Sequence, residues 1–154
     1  MEAARVHSIN VSDGGVPKQP VASAQIGTRG LEGDRQRNRL VHGGPARAVV
    51  LYSLELIEAL QAEGHPIAPG TIGENLTLSG LDWVALSPGT QLDVGEVRLE
   101  ITKPASPCAS IAGSFAAKEF ARVSHERHPG WSRLCARVLQ PGRMRLGDAA
   151  RIAE

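Results

Sequence analysis

Apolar and polar positions alternate with a period of two along much of this chain, which predicts short half-buried strands. Arg5–Val11 is the first, with Val6, Ile9 and Val11 apolar, and Val21–Ile26 is the second. Ala48–Tyr52 is a continuous apolar run, short enough for a fully buried strand. Between Gly73 and Gly80 lies a strand rich in hydrogen-bonding side chains, Glu74, Asn75 and Thr77. Gln91–Val94 and Val97–Thr102 read as a hairpin around Gly95-Glu96. Trp131–Leu139 and Met144–Ile152 close the set, the last interrupted at Gly147-Asp148.

The pattern changes to a helical one twice. Leu54, Ile57 and Leu60 share a face of a helix over Leu54–Glu63, with Ser53 as N-cap, Glu55 in the first turn and Gly64 as the stop. Ile111, Phe115, Phe120 and Val123 predict a second amphipathic helix. Glycine and proline are frequent and spread evenly, which favours many short strands over a bundle. The expected fold is mostly β with peripheral helices, a closed or nearly closed β-barrel in a single domain over 1–154.

Charge adds less. The net charge is +1, so nothing overall calls for nucleic acid or a membrane surface. Scarce aromatic residues argue against a stacking platform for single strands. Residues 1–50 hold seven Lys/Arg against four acids, 51–103 two against eight, and 104–154 eight against four. Convergence of the two basic thirds would make an anion site; a mixed solvated surface explains the same counts. Two cysteines make no disulfide framework. Without a signal sequence or a long apolar run, the expectation is a cytoplasmic chain with reduced thiols.

The stretch with most chemistry is 102–111. A strand runs into a turn stiffened by Pro104 and Pro107, which delivers Cys108 to the start of the second helix. Unpaired N–H groups there would stabilise a thiolate, and Lys103 would add positive charge. A small buried apolar cysteine is the competing reading. Lys18 stands on the stiff loop Val16–Pro20. His42-Gly43-Gly44 is either an ordinary turn or a place where backbone approaches a ligand. His125 and His128 lack the spacing of the HExxH zinc motif and, just before Pro129-Gly130, suit a solvated helix end.

Taken in order, several stretches resemble the MOSC domain, named for the C-terminal domain of molybdenum-cofactor sulfurases. They are Gly14–Lys18, Gly30–Arg35, His42–Gly44, Ala48-Val49 with Tyr52, Gly73–Thr77, Pro107-Cys108, Gly130-Trp131, Arg137–Leu139 and Gly147-Asp148. The resemblance is to the small free-standing bacterial members. It implies a barrel-like fold and an anionic molybdopterin cofactor. Cys108 would be the molybdenum ligand in reduction of N-hydroxylated compounds, or the persulfide carrier of sulfur. Lys18, Arg35, His42, Arg47, Asn75, Thr77 and Lys103 would lie about the cofactor. A partner, either an electron donor or a cysteine desulfurase, is implied as well. The pyridoxal-phosphate domain of the fused sulfurases has no counterpart in the 154 residues, so no pyridoxal phosphate is expected on this chain. A non-catalytic module that binds or delivers the cofactor is the alternative.

Overall fold

The computed structural model describes residues 3–34 and 44–153. Alternation becomes strand over most of the predicted stretches, but glycine, proline and bends cut it more finely than expected. The strands are β1 (Arg5–Val11), β2 (Gln19–Val21), β3 (Ser23–Gly27), β4 (Gly30–Leu31), β5 (Val49–Ser53), β6 (Leu76–Ser79), β7 (Gln91–Val94), β8 (Val97–Pro104), β9 (Leu134–Gln140), β10 (Gly142–Arg145) and β11 (Ala150–Ile152). The second predicted strand splits at a bend into β2 and β3, and the last splits into β10 and β11.

Eight strands form one sheet in the order β11-β7-β8-β9-β5-β6-β1-β2, and β10-β3-β4 form another. The mostly β expectation holds. The expected closed or nearly closed barrel does not: no sheet closes on itself among the described residues. The large sheet bends far enough for Arg5 to bridge Ala149, just before β11, but β2 remains an edge. Pro20 sits in that edge strand, where its missing N–H leaves no gap in an inner ladder.

The first predicted helix, α1 (Leu54–Ala62), is present. The Ser53 hydroxyl accepts from the Leu56 N–H at 3.2 Å, and Ile57 and Leu60 are buried beneath it. This helix is the crossover that lets β5 and β6 run parallel, with Leu51 opposite Leu76. All other strand pairs are antiparallel. Among the described residues no helix is long and apolar enough to cross a membrane.

The helix expected after Cys108 is absent. Residues 109–123 instead form three short 3-10 turns, Ala109–Ser114, Ala116–Lys118 and Phe120–Val123. Ala117 and Lys118 both have positive φ, 56° and 58°, which no continuous α-helix permits. The apolar periodicity still reports burial, since Ile111, Phe115 and Val123 are in the core and Phe120 packs against it. What it could not report is the path between them.

Candidate functional site

The face of β9 that carries Arg133 (just before the strand) and Cys135 is the floor of a cavity of about 470 Å³. Strand register supplies the neighbours. Val50 of β5 lies opposite Cys135 on one side, and Lys103 of β8 lies opposite it on the other. Beyond Lys103 the chain continues along β9, with Pro104 opposite Leu134. The Ala105 N–H donates to the Arg133 carbonyl at 2.9 Å, and Arg133 Nη2 donates to the Ser106 carbonyl at 3.1 Å. These bonds hold the Pro104–Cys108 turn against β9, and Cys108, Ser110 and Ile111 complete that wall. The opposite wall is Ile72, Gly73, Asn75 and Lys18.

Cys108 is extended, at the first residue before a six-residue 3-10 turn, and is not at the N-terminus of an α-helix. Its Sγ lies 2.8 Å from Ser110 Oγ. The dipole argument for its reactivity therefore lapses, and the electrostatics come from side chains. Arg47, from the turn Pro45–Arg47, Lys103 and Arg133 all line the same cavity. Arg133 is 9% exposed, and its two hydrogen bonds go to carbonyl oxygens, those of Ser106 and Ile72 (3.0 Å from Nη1). Its Nε is buried without a partner. Burial pulls this guanidinium below its ordinary value, while Cys135, Glu74 and Cys108 act to raise it. Burial likewise pushes the Cys135 thiol up, and Arg133, Arg47 and Lys103 oppose that shift.

Lys18 reaches the cavity already paired. Its Nζ is 2.6 Å from Asp34 Oδ1, with side chains 8% and 3% exposed. Asp34 also accepts from the Ser12 N–H (2.9 Å) and from Asn75 Nδ2 (2.9 Å). Asn75 in turn accepts from the Val50 N–H at 2.9 Å and donates to the Asn10 carbonyl. One amide thus fixes β5, β1 and the Asp34 loop at the mouth of the cavity.

Thr77 is buried but does not line the cavity; it donates to Glu74 Oε2 at 3.0 Å and accepts from Asn10. Glu74 is fully buried, with Oε2 also bonded to the Gly70 N–H and Oε1 without a partner. Burial pushes this carboxyl up to about 7, against the pull of the Gly70 N–H. Gly70 is required here. It has a φ of +84°, and a Cβ would stand 2.5 Å from the Lys18 carbonyl.

Of the residues predicted for the site, Lys18, Arg47, Asn75, Lys103 and Cys108 are brought together, and Thr77 supports them from behind. Arg35 and His42 lie outside the described residues. His125 and His128 are exposed in the turn before Gly130, away from the cavity. Asp34 and Arg133 enter the site from the structure alone: Asp34 stands inside a matched motif with no role given to it, and Arg133 is a cation one residue ahead of a buried Leu-Cys-Ala run, a sign of an ion held inside the fold. Cys135, expected to pack in its strand, is buried in β9 and its strand neighbours line the cavity. Tyr52 and Trp131, also from quoted motifs, are structural: the tyrosine hydroxyl donates to the Trp131 carbonyl at 2.8 Å, and Arg122 stacks 4.0 Å over the indole.

The MOSC domain family model matches residues 38–151. The chain belongs to the MOSC domain family. It is 32% identical over 135 residues to YflK of Bacillus subtilis (strain 168), covering 86% of this chain and 60% of YflK. It is 29% identical over 120 residues to YiiM of Escherichia coli (strain K12), covering 75% of this chain and 52% of that one. The chain therefore spans little more than half the length of these relatives. Among solved structures, YiiM from Geobacillus stearothermophilus superposes with a TM-score of 0.76 at 25% identity, over 98% of this chain and 75% of that one.

Among the described residues no group of three His, Cys, Asp or Glu side chains is placed to hold a metal ion. The described residues that line the cavity offer no such ligand set for a bare metal. A metal that arrives with its own ligands fits better, since it needs one soft protein donor and counter-charges for its anionic carrier. Cys108 supplies the first; Arg47, Lys103 and Arg133 supply the second.

Proposed function

We propose that this chain binds an anionic molybdopterin-type cofactor in the cavity, with Cys108 as the sulfur that meets the metal or carries sulfur toward it. The observation that supports this reading is the gathering of one partly exposed thiol with Arg47, Lys103 and Arg133 in a cavity of about 470 Å³, a volume in the range of small-molecule sites. When bound, the cofactor supplies two-electron redox chemistry at molybdenum; the reduction of N-hydroxylated compounds is the reaction class proposed for it. The residues of this chain bind and orient. Lys103 and Arg47 balance the cofactor's negative charge, Arg133 holds the Cys108 turn through Ser106, and Asn75 fixes the opposite wall. Thr77 keeps Glu74 in place behind that wall.

In the carrier reading the same thiol holds sulfur as a persulfide and accepts it from a desulfurase. In the delivery reading the cavity holds the cofactor without chemistry. An electron donor or a desulfurase is the protein partner, and the cytoplasm is the compartment in which the thiol stays reduced. Elemental and mass analysis separates these readings, on protein purified from a host that makes the cofactor and on a Cys108→Ser variant. Molybdenum near one per chain, lost in the variant, is the expected result. No molybdenum, with a thiol-reducible gain of one sulfur on Cys108, makes the chain a carrier. Molybdenum retained in full by Cys108→Ser leaves only delivery.

A further inference from the structure

We propose that His65 is a pH-sensitive latch: neutral, it holds the strap 109–123 that leaves Cys108; protonated, it lets the Ala116–Lys118 turn of that strap lift. The inference needs no cofactor and stands apart from the reading of the cavity. The Ala116 N–H donates to His65 Nδ1 at 3.0 Å. A backbone N–H can only donate, so Nδ1 offers its lone pair and the ring proton sits on Nε2. That nitrogen lies 3.4 Å from Glu63 Oε1. The end of α1 fixes the ring from behind, with the His65 N–H on the Leu60 carbonyl (3.1 Å) and the Gly64 N–H on the Gln61 carbonyl (2.9 Å). The Phe115 ring meets the imidazole in an edge arrangement, centroids 5.4 Å apart, and the His65 side chain is 8% exposed.

A second proton on the ring takes the lone pair from Nδ1 and sets N–H against N–H. The Ala116 amide then turns to water, which is within reach because Ala116, Ala117, Lys118 and Glu119 are all exposed. Ala117 and Lys118 are consecutive non-glycine residues with φ of 56° and 58°, a conformation that persists only while its surroundings hold it. Phe115 and Val123, on either side of the turn, are in the core and confine the motion to the stretch between them. Glu63 faces the latch from the end of α1 and favours the added proton. Both its oxygens already accept from Arg122 of the strap, at 2.9 and 2.8 Å, and that guanidinium opposes a second cation. Lys118 and Glu119 bring one charge of each sign to the turn, both exposed.

The test is an NMR titration of the full chain from about pH 7.5 to about 5.5, across which an imidazole gains its charge. At the upper end the His65 nitrogen shifts should report the Nε2–H tautomer. On acidification the Ala116 amide signal should move with the same midpoint as the His65 ring. Its protection from hydrogen exchange, corrected for the pH dependence of an unfolded chain, should fall several-fold, while amides of β8 and β9 keep theirs. In His65→Asn the Oδ1 stands close to the place of Nδ1 and cannot titrate, so the Ala116 signal should stay fixed. Glu74 also titrates at about 7, and any effect of it would persist in that variant. A proton on Nδ1 at the upper end, an Ala116 amide that does not follow His65, or one that moves equally in His65→Asn overturns the inference. Should His65→Asn fail to fold, the presence or absence of a shared midpoint in the natural chain decides alone.

Discussion

Individual charges in this protein act mostly through burial. Lys18 and Asp34 form a close pair with almost no solvent around it, so the pair is worth less than its distance suggests, and breaking it costs far more. Lys18→Met leaves Asp34 with two neutral donors, Ser12 N–H and Asn75 Nδ2, and no cation. The expected loss is about 3–5 kcal/mol, read as a lower urea midpoint at unchanged m-value. A loss under about 1 kcal/mol would mean that Asp34 takes up a proton or another partner. Glu74 gives a second effect at this scale. Its carboxyl titrates near 7 in the folded chain and at the usual value near 4.5 when unfolded. Between those values the folded state holds a proton that the unfolded state has lost. Stability is therefore full below about pH 4.5 and falls as pH rises toward 7, by an amount on the order of 3 kcal/mol. Glu74→Gln should flatten that part of the curve in urea melts taken at several pH values. An equal slope in both chains would assign it to other groups.

Elements differ in how far local pattern determines them. The hairpin β7–β8 turns at Gly95-Glu96 as alternation predicts, and α1 starts and stops where Ser53 and Gly64 direct. Polar Glu74, Asn75 and Thr77 were legible as a hydrogen-bonding strand, though their partners, Asn10 and Asp34, come from distant parts of the chain. The segment after Cys108 misleads for a physical reason. Apolar residues three to five apart fit a helix, but they fit equally a chain that winds across the core in short turns. Gly113, between Ala112 and Ser114, and the left-handed Ala117 and Lys118 favour the second path. That difference removes the helix-terminus support for a reactive Cys108, and what Arg133 adds is a hold on the turn through Ser106. A guanidinium buried ahead of β9 is invisible to a two-residue period, which marks faces and not what crosses above them. Cys108, Lys18, Lys103, Arg47 and Asn75 were legible as neighbours of one cavity through the motifs that carry the family resemblance. The arginine that binds the turn to the floor was not.

At the scale of the whole molecule, the family match and the fold do not share a boundary. The match begins at residue 38, yet the large sheet includes β1 between β6 and β2, and β3 pairs with β10 through four residues of register. Val6, Ile9, Ala24, Ile26 and Leu31 all belong to the core. Before residue 38 come Lys18 and Asp34 of the site, and Asn10, whose carbonyl receives Asn75. The loop at 147–148 also depends on β1: the Val6 N–H donates to the Asp148 carbonyl, and the Gly147 N–H donates to the Val6 carbonyl, both at 2.9 Å. Removing 1–37 would expose an inner strand edge on β6 and take from the buried Asn75 Nδ2 both of its acceptors, on Asn10 and Asp34, costs that a domain stable by about 5–15 kcal/mol does not absorb. The fragment 38–154 is therefore expected to show no cooperative thermal transition, while the full chain melts in one step. Adding peptide 1–37 in trans at high concentration should restore part of that transition, because β1 and β3 return to open edges. A fragment that melts cooperatively by itself would show that β1 to β4 are a removable layer, and that the cavity's Lys18 wall is not needed to hold the Cys108 turn on β9.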